Sequence, residues 1–327
     1  RSVSRGLGDV YKRQPLNNIE FLKDYINAGA GEFYMGFYDE EWNKNFGNYS
    51  DINRMSGYGK RANCLSIDEI PKVINLVKEN DADIFITFNS ASYSDDELEF
   101  IRKYFKIISG TKANGIILSN PDVMSIAKEE GLPIVISTIA GAYNSDIVQF
   151  YKKEGAKRII LPRDLSMEEI DTIINIDRNM EYEVFIMRNG CKFSDSNCLG
   201  FHRTEMCSIC ADLDKCNNEI NIFDDNFKSR SSMECTDNLL RDEFHYFSCG
   251  MCAIYDFIRM NINAGKVVGR SDECSSICED IKLIRKNIEI ASQCNSREEY
   301  LDKMIFPENR SIMCTNGMSC YYPEIRF

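Results

Sequence analysis

Between Pro15 and about Arg270, short apolar runs alternate with amphipathic helical stretches, and few folds accept that alternation. It is the pattern of repeated βα units laid on a parallel sheet. The expected strands are Glu32–Met35, Asp83–Phe88, Gly115–Leu118, Pro133–Ile136, Arg158–Leu161, Glu183–Ile186 and Lys266–Val268. That set falls one strand short of a TIM-like (β/α) barrel, the α/β architecture the alternation fits best. The missing first strand belongs just before the expected helix Ile19–Asn27. There, Arg1–Gln14 show neither a core pattern nor the charged-then-apolar layout of a secretory signal. We set residues 1–14 aside as a foreign-looking leader and expect the first strand to be missing or replaced. The organisation is then a barrel over 15–270, with a cysteine-rich segment over 187–252 after the seventh strand. A helical, cysteine-bearing tail occupies 271–327.

Local signals support the helices. Ser66-x-x-Glu69, Ser94-x-x-Glu97 and Ser166-x-x-Glu169 are capping boxes, and Asn120-Pro121 opens a further helix with proline in its first turn. Phe37–Lys60, rich in Asn, Gly, Tyr and Asp, reads as a long loop on the face where barrels carry their active sites. Gly29-x-Gly31 follows a helix and precedes a strand, the reverse of a dinucleotide fingerprint, and reads as a turn. No P-loop, Gly-x-Ser-x-Gly elbow or His-Glu-x-x-His is present. His202 and His245 have no companion at helical spacing.

Fourteen cysteines against two histidines point to thiolate chemistry. Without a secretory signal they read as metal ligands or reactive thiols of a reducing cytoplasm. The net charge of −12 disfavours a nucleic-acid partner and leaves a small molecule or a peptide as the expected substrate. No apolar run is long enough to span a bilayer.

The densest signal is Cys191-x6-Cys198-x8-Cys207-x2-Cys210-x5-Cys216. Four soft sulfur ligands suit an iron–sulfur cluster or, alternatively, tetrahedral zinc. The spacing matches neither ferredoxin runs nor paired zinc knuckles, so a fourth ligand from a distant segment is expected, and Cys249-x-x-Cys252 offers one. Some of these cysteines can equally be buried thiols. In the tail, Cys274, Cys278, Cys314 and Cys320 supply enough ligands for a second metal site, or are reduced thiols of a docking segment.

Glu183-Val184-Phe185 before Cys191, the Cys-x6-Cys pair, Cys207, and Cys252-Ala253-Ile254 leading to Ala264-Gly265-Lys266-Val267-Val268-Gly269-Arg270 resemble the collagenase-like peptidase family, U32. Gly29-Ala30 before Met35-Gly36, Phe88-Asn89, Ser137-Thr138 with Asn144, and the run Arg158 to Ser166 agree. The resemblance covers most of Asn27–Arg270. It implies a barrel-like fold and a 4Fe–4S cluster on Cys191, Cys198, Cys207 and Cys252, with Cys210 as the substitute for Cys207. Some members are named proteases, and others support oxygen-independent hydroxylation in quinone synthesis or RNA modification, with prephenate implicated as the oxygen donor. Two positions depart from the family. Met187-Arg188 stands where His-Gly is usual, and Lys266-Val267-Val268-Gly269-Arg270 replaces Lys-Ile-Glu-Gly-Arg.

At the mouth of such a barrel, Arg163 would clamp a ligand carboxylate while Asn89, Asn144 and Ser137 orient it, with Arg61 and Cys64 within reach. Arg163 paired with Asp164 or Glu169 at the rim is the competing reading. Three functions follow: hydroxylation-type redox chemistry on a small carboxylated or peptide-like substrate, a peptidase, or a non-catalytic cluster-bearing subunit that forms a heterodimer with a second family member.

Overall fold

The computed structural model describes residues 11–16, 18–47, 50–56, 62–63, 65–191, 194–198, 248–269, 272–307, 312–317 and 319–326. Apolar runs become strands because their side chains are covered on both faces, as parallel sheets require. The strands are β1 (Tyr11–Pro15), β2 (Glu32–Met35), β3 (Asp83–Phe88), β4 (Gly115–Leu118), β5 (Ile134–Ile136), β6 (Ala156–Ile160), β7 (Glu181–Met187) and β8 (Ala264–Val267). Each expected strand overlaps an observed one. They pair in sequence order, all parallel. The sheet curls until β1 meets β8 through Tyr11↔Ala264, Lys12↔Gly265 and Arg13↔Lys266.

The helices that return the chain are α1 (Leu22–Ala28), α2 (Glu40–Phe46), α3 (Ile70–Glu79), α4 (Asp95–Ser109), α5 (Pro121–Glu129), α6 (Ser145–Lys153), α7 (Met167–Ile176) and α8 (Ile254–Arg259). Beyond the sheet lie α9 (Cys274–Gln293), α10 (Arg297–Lys303) and α11 (Ile312–Thr315). All three capping boxes form, and Asn120 caps α5 through its side chain. The tail shares the barrel's core: Ile277, Ile281, Tyr300, Tyr321 and Tyr322 are buried in one cluster with the strand residues. Among the described residues no helix is long and apolar enough to cross a membrane.

Two expectations change. Tyr11–Gln14, set aside as a leader, lie in β1, because pairing draws on backbone groups that a segment without a core pattern still carries. The stretch read as a long loop contains α2, which starts at Asp39, whose carboxylate accepts the Trp42 N–H at 2.6 Å. Trp42 and Phe46, four residues apart, are buried with their rings 5.0 Å apart. Asp39→Ala is expected to cost about 0.5–2 kcal/mol, the range for a lost N-cap. Trp42 is the chain's one tryptophan, so its fluorescence during urea unfolding reads the loss directly.

Inside the ring runs a ladder of charge. Arg158 donates to Glu32 at 2.6 and 3.0 Å and to Glu181 at 2.8 Å, and Lys266 donates to Glu183 at 3.1 Å. Glu32 and Glu183 are fully buried. Burial opposes the charge of Arg158, but Glu32, then Glu183 and Glu181, outweigh it and raise its pKa. Lys266 also sits 3.8 Å above the Tyr34 ring. The lysine of the Lys266–Arg270 run is therefore an interior ion-pair partner.

Candidate functional site

The C-terminal ends of β5, β6 and β7 meet the cysteine-bearing loop at one buried carboxylate, Asp195. It lies in a 3-10 turn, Asp195–Asn197, between Cys191 and Cys198. Its Oδ2 accepts from Arg163 Nε at 2.7 Å and from Thr138 Oγ1 at 2.9 Å, and its Oδ1 accepts from Arg54 Nη1 at 2.7 Å. The carboxylate has no solvent exposure. Burial acts to raise its pKa, yet Arg163 and then Arg54 hold it well below the usual carboxylate range. The loop seats so closely that a side chain on Gly141, at φ 66°, would meet Ser196 Cβ at 2.9 Å.

Arg163 is thus engaged with neither Asp164 nor Glu169. Asp164 accepts from Tyr143 Oη at 2.9 and 3.0 Å, and Glu169 closes its own capping box. Besides Asp195, Arg163 donates to the Asn189 carbonyl and lies 4.3 Å over the Phe185 ring. With Nε and Nη1 committed, a ligand carboxylate would have to meet its remaining nitrogen. Asn89 and Ser137 do come together: Asn89 donates to Ser137 Oγ at 3.1 Å and accepts the Arg54 N–H at 3.2 Å. Asn144 is elsewhere, capping α6 by accepting the Ile147 N–H at 3.0 Å, because its extended backbone is that of an N-cap. Arg61, Cys64, Cys207 and Cys210 lie outside the described residues.

Cys191 and Cys198 are half-buried at the two ends of the Asp195 turn. Arg54, opposed by burial, has its pKa raised by Asp195 and then by Cys198. Arg163 feels Asp195 first and Cys191 more weakly. Each loop thiol therefore has a guanidinium for a neighbour. Asp195 and Arg54 were not singled out in the sequence, and Thr138 was named there only as part of the Ser137-Thr138 match. The signal was an acidic residue centred between two cysteines of ligand spacing.

Cys252, buried, lies in the 3-10 turn Met251–Ala253 that leads into α8. Beyond β7, Met187 bridges Cys249, which bridges Cys320 of the tail. The proposed grouping of Cys314 and Cys320 with Cys274 and Cys278 is not what forms. Cys274 and Cys278 sit 4.0 Å apart at the start of α9, against Tyr25 of α1, since an i, i+4 pair shares one helix face. Arg188, in the departing Met187-Arg188 pair, adopts φ 63° and pairs with Asp272 at 3.5 Å and with Asp280. It ties the mouth to α9. Among the described residues, no three His, Cys, Asp or Glu groups converge to hold a metal ion as they stand.

A family model described as Peptidase family U32 matches residues 17–324. The chain is 26% identical over 160 residues to tRNA hydroxylation protein P1 of Bacillus subtilis, covering 48% of this chain and 33% of that one. It is 31% identical over 117 residues to tRNA hydroxylation protein P of Escherichia coli, covering 35% and 26%. An uncharacterized protease of Methanocaldococcus jannaschii is 22% identical over 283 residues, covering 84% and 64%. The matched stretches thus span between a quarter and two thirds of these relatives' own lengths. A solved U32 peptidase structure matches with a TM-score of 0.45 at 13% identity, covering 60% of this chain and 78% of that one.

Proposed function

Because the chain belongs to peptidase family U32, we propose that it is an iron–sulfur protein of the hydroxylation-supporting kind, with Cys191, Cys198, Cys207 (or Cys210 in its place) and Cys252 as cluster thiolates. The observation that carries this reading is Asp195. A carboxylate with no solvent exposure, held by two arginines and a threonine, fixes the turn between Cys191 and Cys198 against the strand ends. Iron–sulfur ligation needs thiolates at set positions, and such outer partners commonly orient them. The cluster would supply redox or Lewis-acid chemistry. The chain's own residues orient the loop thiols through Asp195 and frame the space above Ser137 and Asn89.

The relatives named for tRNA hydroxylation support this choice over peptide hydrolysis, and the sequence carries no serine, cysteine or zinc protease constellation. A net charge of −12 argues that the molecule engaged at the mouth is small and carboxylated, not a phosphate backbone bound broadly across the surface. A reducing, cytoplasmic setting and a second family member as partner complete the proposal. Anaerobically purified protein is expected to be brown, with iron and sulfide in equal amounts. Cys191→Ser and Cys198→Ser should each remove that colour. One zinc per chain with no iron, after strictly anaerobic preparation, would replace the redox reading with a structural Cys₄ site. Casein cleavage that survives both substitutions would favour the peptidase.

A further inference from the structure

β7 stays paired to its last residue, where the Met187 carbonyl accepts the Val268 N–H at 3.1 Å. The next two residues then turn left-handed, Arg188 at φ 63° and Asn189 at φ 49°. Asparagine visits that region readily, but arginine does so only under constraint, because its Cβ crowds the following carbonyl. Two such residues in succession persist only where their surroundings over-determine them. Cys191 follows two positions on.

Four segments hold the pair. The Arg188 N–H donates to Ser248 O at 2.7 Å, and the Arg188 carbonyl accepts from Tyr321 Oη. Its guanidinium pairs with Asp280 and, at 3.5 Å, with Asp272. The Asn189 carbonyl accepts from Arg163 Nη1, and the Asn189 amide donates to Asp272 at 3.2 Å. Tyr321 belongs to the tail, which docks on Cys249: the Cys249 N–H donates to Ser319 O at 3.1 Å, and the Tyr321 N–H donates to Cys249 O at 2.9 Å. The buried Tyr321 ring lies 5.8 Å from that of Phe185, over which Arg163 also sits at 4.3 Å. Arg163 in turn fixes the stretch around Cys191 at both ends, through the Asn189 carbonyl and through Asp195 Oδ2 at 2.7 Å.

We propose that Tyr321 is a positioning residue for Cys191: its hydroxyl locks the left-handed Arg188–Asn189 pair, and through that pair the tail sets the place of the first loop thiol. The importance of Cys191 rests on the reading under Proposed function, whereas the lock does not. Released from Tyr321, Arg188 would fall back toward the right-handed or extended backbone its side chain prefers. The Asn189 carbonyl would then swing off Arg163, and Gly190, with no side chain to resist, would carry the change to Cys191. Tyr322 supplies the contrast. It is equally buried in the same tail and donates to Phe185 O at 3.0 Å, but Phe185 lies within β7 and has no left-handed backbone to hold.

The test compares Tyr321→Phe with Tyr322→Phe in the full chain, reduced and freed of metal, and reads the iodoacetamide labelling rate of each cysteine by mass spectrometry. Tyr321→Phe should speed the labelling of Cys191 about tenfold, the scale of one hydrogen bond lost from a buried carbonyl, and leave the buried Cys294 at its wild-type rate. Tyr322→Phe should change neither, although it too removes a buried hydroxyl. Asn189→Val keeps the tail hydroxyl but sets a β-branched side chain at φ 49°. It should match Tyr321→Phe, and the double variant should go no further than the larger single change, since both release one lock. Equal acceleration of Cys191 in the two tyrosine variants, or a Cys294 rate that rises with it, would make Tyr321 a tail anchor only and overturn the proposal. So would a Cys191 rate that Tyr321→Phe leaves unmoved. In anaerobically purified protein, Tyr321→Phe should also yield its iron to a chelator about tenfold faster, and Tyr322→Phe should not. Wild-type protein that holds no iron, with Cys191 still accelerated in Tyr321→Phe alone, would support the lock and sink the cluster reading instead.

Discussion

Arg158→Ala is expected to cost about 3–5 kcal/mol, the range for removing one partner of a buried ion pair. The guanidinium is 7% exposed and faces Glu32 and Glu183, themselves at 1% and 0%. Taking it away withdraws both hydrogen bonds that Glu32 receives from it and leaves negative charge where water cannot reach. The urea midpoint at neutral pH measures the loss. Arg158→Met combined with Glu32→Gln should recover much of it, since neutralising both sides removes the stranded charge, and the cycle of single and double variants isolates their coupling. A loss under about 1 kcal/mol, the size of a surface pair, would mean that solvent enters the ring.

Asp195→Asn should have the second large effect, about 3 kcal/mol, because Arg54 and Arg163 repel one another once the carboxylate between them is neutral. The loss should also be local. Alkylation of Cys191 and Cys198 is expected to accelerate while that of Cys278, beside Cys274 at the start of α9, is unchanged. The pH dependence has a definite sign. A carboxylate whose pKa is depressed on folding contributes stability that is fully present above the unfolded value of about 4 and is lost as the pH falls toward the folded one. The stability gap between the wild-type chain and Asp195→Asn should therefore be constant near neutrality and shrink in acid below about pH 4. A gap that persists there would show that asparagine's shape, not its missing charge, is at fault.

What the sequence disclosed and what it withheld divide along one physical line. Runs such as Asp83–Phe88 and Gly115–Leu118 announce themselves because burial on both faces demands continuous apolar side chains. The capping boxes do so because their chemistry is local. The position of β1, just before the first helix, was expected, but its residues were read as a leader because backbone pairing leaves no mark on composition; α2 was missed because the Asn, Gly and Asp around it outweighed one cap and two buried rings. At the mouth, Asn89 and Ser137 were chosen for their position after neighbouring strands and do meet, while Asn144 was drawn off by a helix start that any sidechain-capping asparagine invites. Arg163 was legible as a mouth residue, yet its partner was not. Asp195 lies 32 positions away, and nothing local says which acid a buried arginine will find.

The backbone of Cys249 has both its N–H and its C=O claimed by residues that follow it by some seventy positions. During synthesis Cys249 leaves the ribosome with these two backbone groups unspent, and they stay so until the tail arrives. The wall of the mouth between β7 and the tail is thus the last part of the molecule to acquire its final form. A chain arrested or clipped before Ser319 would keep its βα units and lose that wall. In this architecture the tail acts as a keystone, set after the ring it completes.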